Sequence, residues 1–197
     1  MTQSNTIVRC PWCGDNDDYQ HYHDNTWGRP VMDSVELFAK LCLDGQQAGL
    51  SWITILRKQQ NYYRAFAQFQ PEKIALFQEQ DCLRLMENPG IVRNKLKINA
   101  IVKNAKAYLA IEQQGQTFSD YIWSFVGGKT MVNRYASMQD IPTESAESQA
   151  MSKALKKAGF SFVGPTICYA FMQAVGMIND HLVDCHVYQE CVDLAQR

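Results

Sequence analysis

The chain has 197 residues, 46% of them hydrophobic, which is enough to bury a substantial core in one compact domain without disulfide bonds. Its formal net charge of −1 excludes a protein that binds nucleic acid through bulk positive charge, so any DNA contact must be local. Seven cysteines are an odd number for a secreted disulfide framework, and no apolar run approaches the roughly 20 residues of a membrane span, so we expect a soluble cytoplasmic protein with no membrane partner.

Helical periodicity runs through almost the whole chain, and alternating strand patterns are nearly absent. Asp33 comes just before a stripe of apolar side chains and Glu36 follows it by three residues, a pattern typical of a capped helix start. The predicted helices cover residues 34–47, 52–69, 72–77, 79–87, 93–114 and 118–125. Residues 127–145 are predicted to form an irregular surface loop. The sequence therefore predicts an all-α fold in a single domain over 1–197, with residues 1–8 as a flexible N-terminal extension.

Two glycine-bearing turns join predicted helices. Asn88-Pro89-Gly90 leads into a lysine-rich helix, and a second helix ends at Gly159 before Gly164-Pro165 starts the next, with the proline suited to the first helical position. Both turns resemble helix-hairpin-helix units, whose exposed backbone N–H groups can bind a DNA phosphate without many basic side chains. An ordinary packing corner between two helices explains either turn equally simply.

Cysteine and histidine residues cluster at both ends of the chain. His181 and Cys185 are four residues apart, so on a helical turn they share a face and can bind one metal ion. Cys10 and His23 complete a tetrahedral set for Zn²⁺, and four protein ligands leave no open position, which makes such a metal structural. Other ligand sets remain open, with substitutes among Cys13, His21, His186 and Cys191. A redox pair in "CPWC" and the absence of any metal are further alternatives.

Four stretches of the chain resemble the bacterial 3-methyladenine DNA glycosylase I family, from Arg9 to about Cys185. They are "YHDNTWG", "LDGQQAGLSWITIL", "YIWSFV" and "MSKALKKAGFSFVGPTICYAFMQAVGMINDH". The resemblance implies a fold of the helix-hairpin-helix glycosylase type, with one hairpin contacting DNA at Gly159, Phe162 and Gly164. It also implies a structural zinc ion that joins the two termini, with Cys13 outside the ligand set. The implied ligands are Cys10, His23, His181 and Cys185.

The family's reaction is the excision of a methylated base from DNA. Methylation at N3 leaves adenine cationic, so the N-glycosidic bond is already weak and strong acid catalysis is unnecessary. Such an enzyme must flip the nucleotide out of the duplex and recognise the base by stacking and hydrogen bonds. Aromatic faces attract a cation, which suits Tyr22, Trp27 and Trp52 as cavity walls, although a tryptophan in an apolar run is commonly a core residue. The resemblance assigns Tyr22 and Trp52 to the base site, with Tyr19 and Trp27 nearby.

Four further residues are considered beside this resemblance. Gly49 and Leu50 match the wedge that fills the gap left by the extruded base, although a plain turn between helices explains them as well. Asp44 stands where the family usually has glutamate, and we expect it to be the catalytic residue that accepts hydrogen bonds from the base, the alternative being a solvated carboxylate at a helix end. Asp180, in "INDH", is a candidate for a supporting role only.

The main hypothesis is thus a monofunctional glycosylase, monomeric and acting on double-stranded DNA that contains 3-methyladenine. No lysine stands at a matching nucleophile position, which argues against lyase activity. Two other classes of protein stay open from the residues alone. One is a zinc-stabilised DNA-binding module without catalysis, and the other is a thiol-disulfide protein that uses Cys10 and Cys13.

Overall fold

The computed structural model describes residues 7–196. Its helices are α1 (Asp17–Asn25), α2 (Ser34–Gln47), α3 (Trp52–Leu56), α4 (Gln59–Ala65), α5 (Pro71–Ile74), α6 (Glu79–Met86), α7 (Lys95–Glu112), α8 (Phe118–Trp123), α9 (Ala146–Ala158), α10 (Pro165–Ala174) and α11 (Tyr188–Leu194). Single 3₁₀ turns occupy Pro11–Cys13, Ala67–Phe69, Ser124–Val126 and Met138–Asp140. No helix within residues 7–196 is both long and apolar enough to cross a bilayer.

The fold is predominantly helical, as predicted, but it also contains two short strands. β1 (Met131–Val132) lies inside the predicted loop and pairs in parallel with β2 (Ile178–Asn179). The Met131 N–H donates to the carbonyl of Met177, which anchors the loop beside the segment leading to His181. A strict all-α prediction is therefore wrong at these residues, because a two-residue strand is too short to show an alternating pattern.

The predicted helix over 52–69 is also wrong, because the chain turns twice within it. α3 ends at Leu56 and α4 begins at Gln59, and the backbone then becomes left-handed at Ala67–Phe69, with φ between 51° and 56°. Phe66 and Phe69 are both completely buried at this turn, and their ring centroids are 6.1 Å apart in a stacked arrangement. Burial of the two rings thus outweighs local helical propensity.

α2 is the central helix and begins where the sequence predicted. The Asp33 side chain accepts hydrogen bonds from the N–H groups of Val35 and Glu36, which caps the helix. Leu37, Phe38 and Leu41 are fully buried, and α2 packs against α3, α7, α8 and α10. The polar end of α2 is consequently held at the centre of the molecule and not in solvent.

Both predicted hairpins are present as turns between helices. α9 ends at Gly159, whose φ of 104° is left-handed, and α10 begins at Pro165 directly after Gly164. Between α6 and α7, the Asn88 side chain accepts a hydrogen bond from the N–H of Gly90. At the N-terminus, residues 1–6 of the predicted extension lie outside the described residues, whereas the Val8 carbonyl accepts a hydrogen bond from the N–H of His186.

Candidate functional site

A cavity of about 210 Å³ opens between α1, α2, α10 and the start of α3. All the residues expected to contact a base line it, namely Tyr19, Tyr22, Trp27, Asp44 and Trp52. These residues are far apart in the sequence, and the fold brings α1, the turn after it, α2 and the start of α3 together around the cavity. The cavity is therefore walled by aromatic rings with a single carboxylate among them.

The aromatic walls stand at angles to one another. The ring centroids of Tyr22 and Trp52 are 5.5 Å apart with planes inclined by 44°, and those of Trp12 and Trp27 are 5.1 Å apart in an edge-to-face arrangement. Trp52 is 9% exposed, so it is both a core residue and a cavity wall, and the two interpretations of this tryptophan do not compete. Rings fixed by such contacts form a preorganised surface for a flat ligand.

Asp44 is 1% exposed and lies one turn from the end of α2. Its Oδ1 is paired with the ammonium group of Lys40, while its Oδ2 has no hydrogen-bond partner. Burial raises the pKa of Asp44, and the charge of Lys40 opposes that rise. The alternative of a solvated carboxylate at a helix end is wrong, because this side chain is enclosed.

Unpartnered polar atoms concentrate at this cavity. Within residues 7–196, four buried side-chain nitrogen or oxygen atoms lack a partner, and three of them are Trp12 Nε1, Asp44 Oδ2 and Trp52 Nε1, on residues that line the cavity. Buried polar groups are nearly always hydrogen-bonded, so a cluster of exceptions calls for an explanation. Two N–H donors and one carboxylate acceptor among aromatic rings suit a flat heteroaromatic ligand that carries both kinds of group.

Sequence reasoning missed seven lining residues, and those with polar groups are Trp12, Lys40, Gln47 and Gln173. The spacing of Lys40 and Asp44, four apart on a helix, was a usable signal, since such residues share a face. Trp12 lies between Cys10 and Cys13 near the start of the chain, and these cysteines indicated metal or redox chemistry and not a base cavity. Gln173 had no signal, because α10 shows only an apolar pattern at that point.

The turn after α2 is held from below by Lys97 of α7. The Lys97 ammonium is buried and donates to the carbonyls of Gln46 and Ala48, both at 2.7 Å. This contact satisfies carbonyls at the helix end that otherwise lack partners. The next residues are Gly49, with a left-handed φ of 75°, and Leu50, which is 41% exposed. The expected wedge is thus an exposed leucine on a braced turn.

The α9–α10 hairpin is likewise braced, by Asn104 of α7, which accepts a hydrogen bond from the N–H of Ser161 and donates to its carbonyl. Phe162 has a left-handed φ of 58°. Its Cβ and carbonyl oxygen lie 3.1 Å from the point that a Cβ on Gly45 would occupy, so the hairpin packs directly on α2. In the described part of the chain, no acceptor lies within range of the N–H groups of Phe162, Val163 and Gly164.

Four cysteine and histidine side chains converge away from the cavity. Their donor atoms all lie within 4.8 Å of one another, and the residues are Cys10, His23, His181 and Cys185. Cys185 Sγ is 3.5 Å from His23 Nε2 and 3.6 Å from His181 Nδ1. Zn²⁺ bonds of about 2.3 Å to sulfur and about 2.0 Å to nitrogen set tetrahedral S···N edges of about 3.5 Å. The donor set and its spacing therefore fit a metal ion with four protein ligands.

The second nitrogen of each imidazole is also engaged, as is usual for metal ligands. His23 Nδ1 lies 2.8 Å from Asp24 Oδ1, and His181 Nε2 lies 3.2 Å from the carbonyl oxygen of Trp27. Arg9 also pairs with Asp24. Burial alone would raise the pKa of Asp24, but hydrogen bonds from Arg9, His23 and His186 hold that pKa well below its usual range. The two imidazoles are thus held in fixed orientations.

His181 and Cys185 do not share a helical turn, as the spacing had predicted. They lie in a non-helical segment after β2, with the N–H of Cys185 donating to the carbonyl of Leu182. The prediction that His181 and Cys185 lie close together is confirmed. The prediction that they do so on a helix is wrong, because a tight turn brings residues four apart equally close.

The other cysteines and histidines lie outside this cluster. His21 is exposed and contacts Asn25, and the Cys13 thiol donates to the carbonyl of Cys10. Burial raises the pKa of Cys13, the opposite of what a reactive redox thiol requires. Cys10 belongs to the metal-ligand cluster, so the geometry assigns it a role other than that of a redox partner for Cys13.

Asp180 is completely buried beside the cavity and accepts hydrogen bonds from Tyr169, Gln173 and Asn133. Because Gln173 lines the cavity, Asp180 contacts a lining residue and not the cavity itself. The supporting position expected of it is consistent with this arrangement.

Comparison with known proteins identifies the family of this chain. Residues 12–188 match the model of the methyladenine glycosylase family. The chain is 55% identical over 178 residues to the DNA-3-methyladenine glycosylase of Haemophilus influenzae, covering 90% of this chain and 96% of that protein. A crystal structure of 3-methyladenine DNA glycosylase I superposes with a TM-score of 0.91 at 52% identity, over 92% of this chain and all of that one. Another, on recognition of 3-methyladenine by the Staphylococcus aureus enzyme, gives 0.89 at 42% identity, over 91% of this chain and 96% of that one. The chain belongs to the methyladenine glycosylase family.

Proposed function

We propose that the protein is a DNA glycosylase of base-excision repair, which hydrolyses the N-glycosidic bond of 3-methyladenine in alkylated DNA and leaves an abasic site. The observation that carries this proposal is the buried aromatic cavity with its unpartnered carboxylate oxygen on Asp44. Relatives over nearly the whole chain bear the name of that activity.

The chemistry needs little from the protein beyond recognition. The methylated base is cationic in DNA, so the electrons of the C1′–N9 bond leave with the base, which departs neutral. A water molecule supplies the hydroxyl group to C1′, and its proton is lost to solvent. In this proposal Tyr22 and Trp52 stack on the flipped base, Trp27 and Tyr19 close the sides, and Asp44 Oδ2 is the catalytic acceptor for a hydrogen bond from the base edge.

DNA is held by two braced turns in this proposal. Leu50, directly after Gly49 with its left-handed φ, inserts into the duplex where the base has left. The hairpin that runs from Gly159 to Gly164 offers the free backbone N–H groups of Phe162, Val163 and Gly164 to a phosphate. The start of α10 adds its positive helix end. This mode of binding explains how a chain with a net charge of −1 acts on double-stranded DNA.

We assign the cluster of Cys10, His23, His181 and Cys185 to one structural Zn²⁺ ion that joins the two ends of the domain. A zinc ion with four protein ligands contributes folding stability and no reaction chemistry. The cluster lies behind the cavity wall, because His23 follows Tyr22 in α1 and His181 contacts the Trp27 carbonyl. Zinc in this place joins the two ends of the domain behind the aromatic wall and does not enter the cavity.

The remaining expectations belong to the same proposal: a single glycosylase domain of the helix-hairpin-helix type, monomeric and cytoplasmic, without lyase activity. Lys40 reaches the cavity, but its ammonium group is paired with Asp44 and stacked on Trp52, so it is not a free nucleophile.

Abasic-site formation in methylated duplex DNA, measured with the purified protein, tests the proposal. We expect abasic sites to accumulate in methylated DNA and not in untreated DNA of the same sequence. Strand breaks without alkali treatment would reveal lyase activity and contradict the monofunctional assignment. A protein that binds methylated DNA and forms no abasic sites would instead be a zinc-stabilised binding module.

A further inference from the structure

Lys40 places a positive charge inside the base cavity. It precedes Asp44 by four residues on α2, so both side chains project from the same face of the helix. Its ammonium group contacts Asp44 Oδ1 and stands 4.0 Å from the centroid of the Trp52 ring. The Lys40 side chain is only 15% exposed, so water screens this charge poorly.

The ammonium group therefore engages the two features that would attract a cationic base, a carboxylate and the face of an aromatic ring. Among the described residues that line the cavity, Lys40 and Asp44 are the ones with formal charges, and the two charges cancel. The second carboxylate oxygen, Asp44 Oδ2, remains free to accept a hydrogen bond.

We propose that Lys40 is a specificity-determining residue: an internal cation that reduces the preference of the cavity for cationic over neutral bases. This inference rests on the proposed function, because it concerns the base bound in the same cavity. A cationic base must either share the cavity with the ammonium group or displace it from Asp44 and Trp52. A neutral base of the same shape meets no such repulsion and still has the rings and Asp44 Oδ2 available.

The size of the effect follows from Coulomb's law. Two like charges about 6 Å apart, at the effective dielectric constant of about 20 that suits protein sites, change an equilibrium by roughly a hundredfold at most. Relaxation of the lysine side chain reduces this, so we expect roughly a tenfold change in the ratio of the two affinities. With Lys40 present, recognition of the base therefore depends more on shape, stacking and hydrogen bonding than on charge.

Two small molecules of nearly equal shape separate charge from packing. 3,9-Dimethyladeninium is a fixed cation that represents the methylated nucleoside, and 3,9-dimethyl-3-deazaadenine is its neutral counterpart. We would measure the Kd of each by calorimetry at one fixed, near-neutral pH, for the parent and for Lys40→Met and Lys40→Gln. The matched control is Lys103→Met, an exposed lysine on α7.

We expect both Lys40 variants to favour the cation over the neutral probe by roughly tenfold more than the parent does, and Lys103→Met to leave the ratio unchanged. Equal changes for the two probes would show that Lys40 only packs, and would overturn the inference. If Lys40→Met fails to fold, Lys40→Gln decides, since it keeps an amide donor near Asp44 without the charge. If the parent releases the base but the ratio of cation to neutral-probe affinity is unchanged in the Lys40 variants, this inference alone is overturned. If the parent binds neither probe and releases no base, the proposed function is overturned as well.

Discussion

Replacing one ligand of the proposed zinc site should destabilise the protein strongly and change the chemistry little. Cys185→Ser removes a sulfur that lies 3.5 Å from His23 Nε2 and 3.6 Å from His181 Nδ1. The metal then loses one of its four ligands, and the link between Cys10 near the start and the segment around residue 185 is weakened. Fixing two points so far apart in the sequence is worth about 5 kcal/mol in a chain-entropy model of loop closure.

This magnitude translates into a measurable change in the thermal transition. For a protein of this size 1 kcal/mol shifts Tm by about 2–4 °C, so full loss of the link lowers Tm by about 10–20 °C. The measurements are zinc content by mass spectrometry and Tm by calorimetry, on protein purified without added chelator. Cys82→Ser is the matched control, because Cys82 is a half-buried free thiol on α6 outside the cluster.

We expect about one zinc per chain in the parent and in Cys82→Ser, and much less in Cys185→Ser. Residual excision by Cys185→Ser below its Tm should stay within a few-fold of the parent, because the cluster does not line the cavity. Stoichiometric zinc with an unchanged Tm in Cys185→Ser would refute the ligand assignment.

Three further substitutions test the other parts of the site. Asp44→Asn should weaken binding of the cationic probe by about 1–3 kcal/mol, the range for a lost charge-assisted hydrogen bond. Burial raises the pKa of Asp44, so binding by the parent should decline as the pH falls through that raised value. The variant should lack this decline. Gly164→Asp should weaken binding to all duplexes alike, measured by fluorescence anisotropy, because it sets a negative charge beside the proposed phosphate site. Lys97→Met should lower the free energy of unfolding by about 2–4 kcal/mol in urea titrations, because it leaves the Gln46 and Ala48 carbonyls without their charged donor.

Each of these substitutions has a matched control. Asp44→Glu restores the residue that the resembling family usually carries and should bind at least as well as the parent. Gly164→Ala should bind DNA normally, because Gly164 has an ordinary φ of −63° and open space where a Cβ would lie. Lys103→Met, on the exposed face of α7, should leave the unfolding free energy nearly unchanged. An Asp44→Asn protein that matches the parent in binding and excision would leave recognition to the aromatic rings, and normal DNA binding by Gly164→Asp would move the anchor to the Pro89-Gly90 turn.

Local signals in the sequence predicted the fold wherever a helix has its own stripe and cap. Asp33 at the start of α2 and Gly159 at the end of α9 are such signals, and both boundaries agree with the structure. The left-handed turn at Ala67–Phe69 has no such signal, because none of its residues is a glycine. The turn accompanies the complete burial of Phe66 and Phe69, which depends on contacts with residues distant in the sequence. Tertiary packing, not propensity, decides that segment.

The site divides in the same way. Cysteine and histidine are distinctive residues, so their clustering at both chain ends was visible, and long motifs carried the aromatic positions. Lys40 and Lys97 were not distinguished from surface lysines, because a sequence does not show which lysines are enclosed. Lys40 pairs with Asp44, and Lys97 donates hydrogen bonds to the carbonyls at the end of α2. Buried charge is a property of the packed molecule, and it emerges only when the partners of each ammonium group are known.

Identification of the bases released from methylated duplex DNA tests the central claim most directly. Purified protein would be incubated with DNA treated with a methylating agent, and the small molecules set free would be separated and identified by mass spectrometry, beside a heat-inactivated sample. We expect free 3-methyladenine as the main product that depends on the protein, released well above the spontaneous level of the heat-inactivated sample and much reduced for Asp44→Asn. Release of no methylated base, with the protein folded and bound to the DNA, would contradict it.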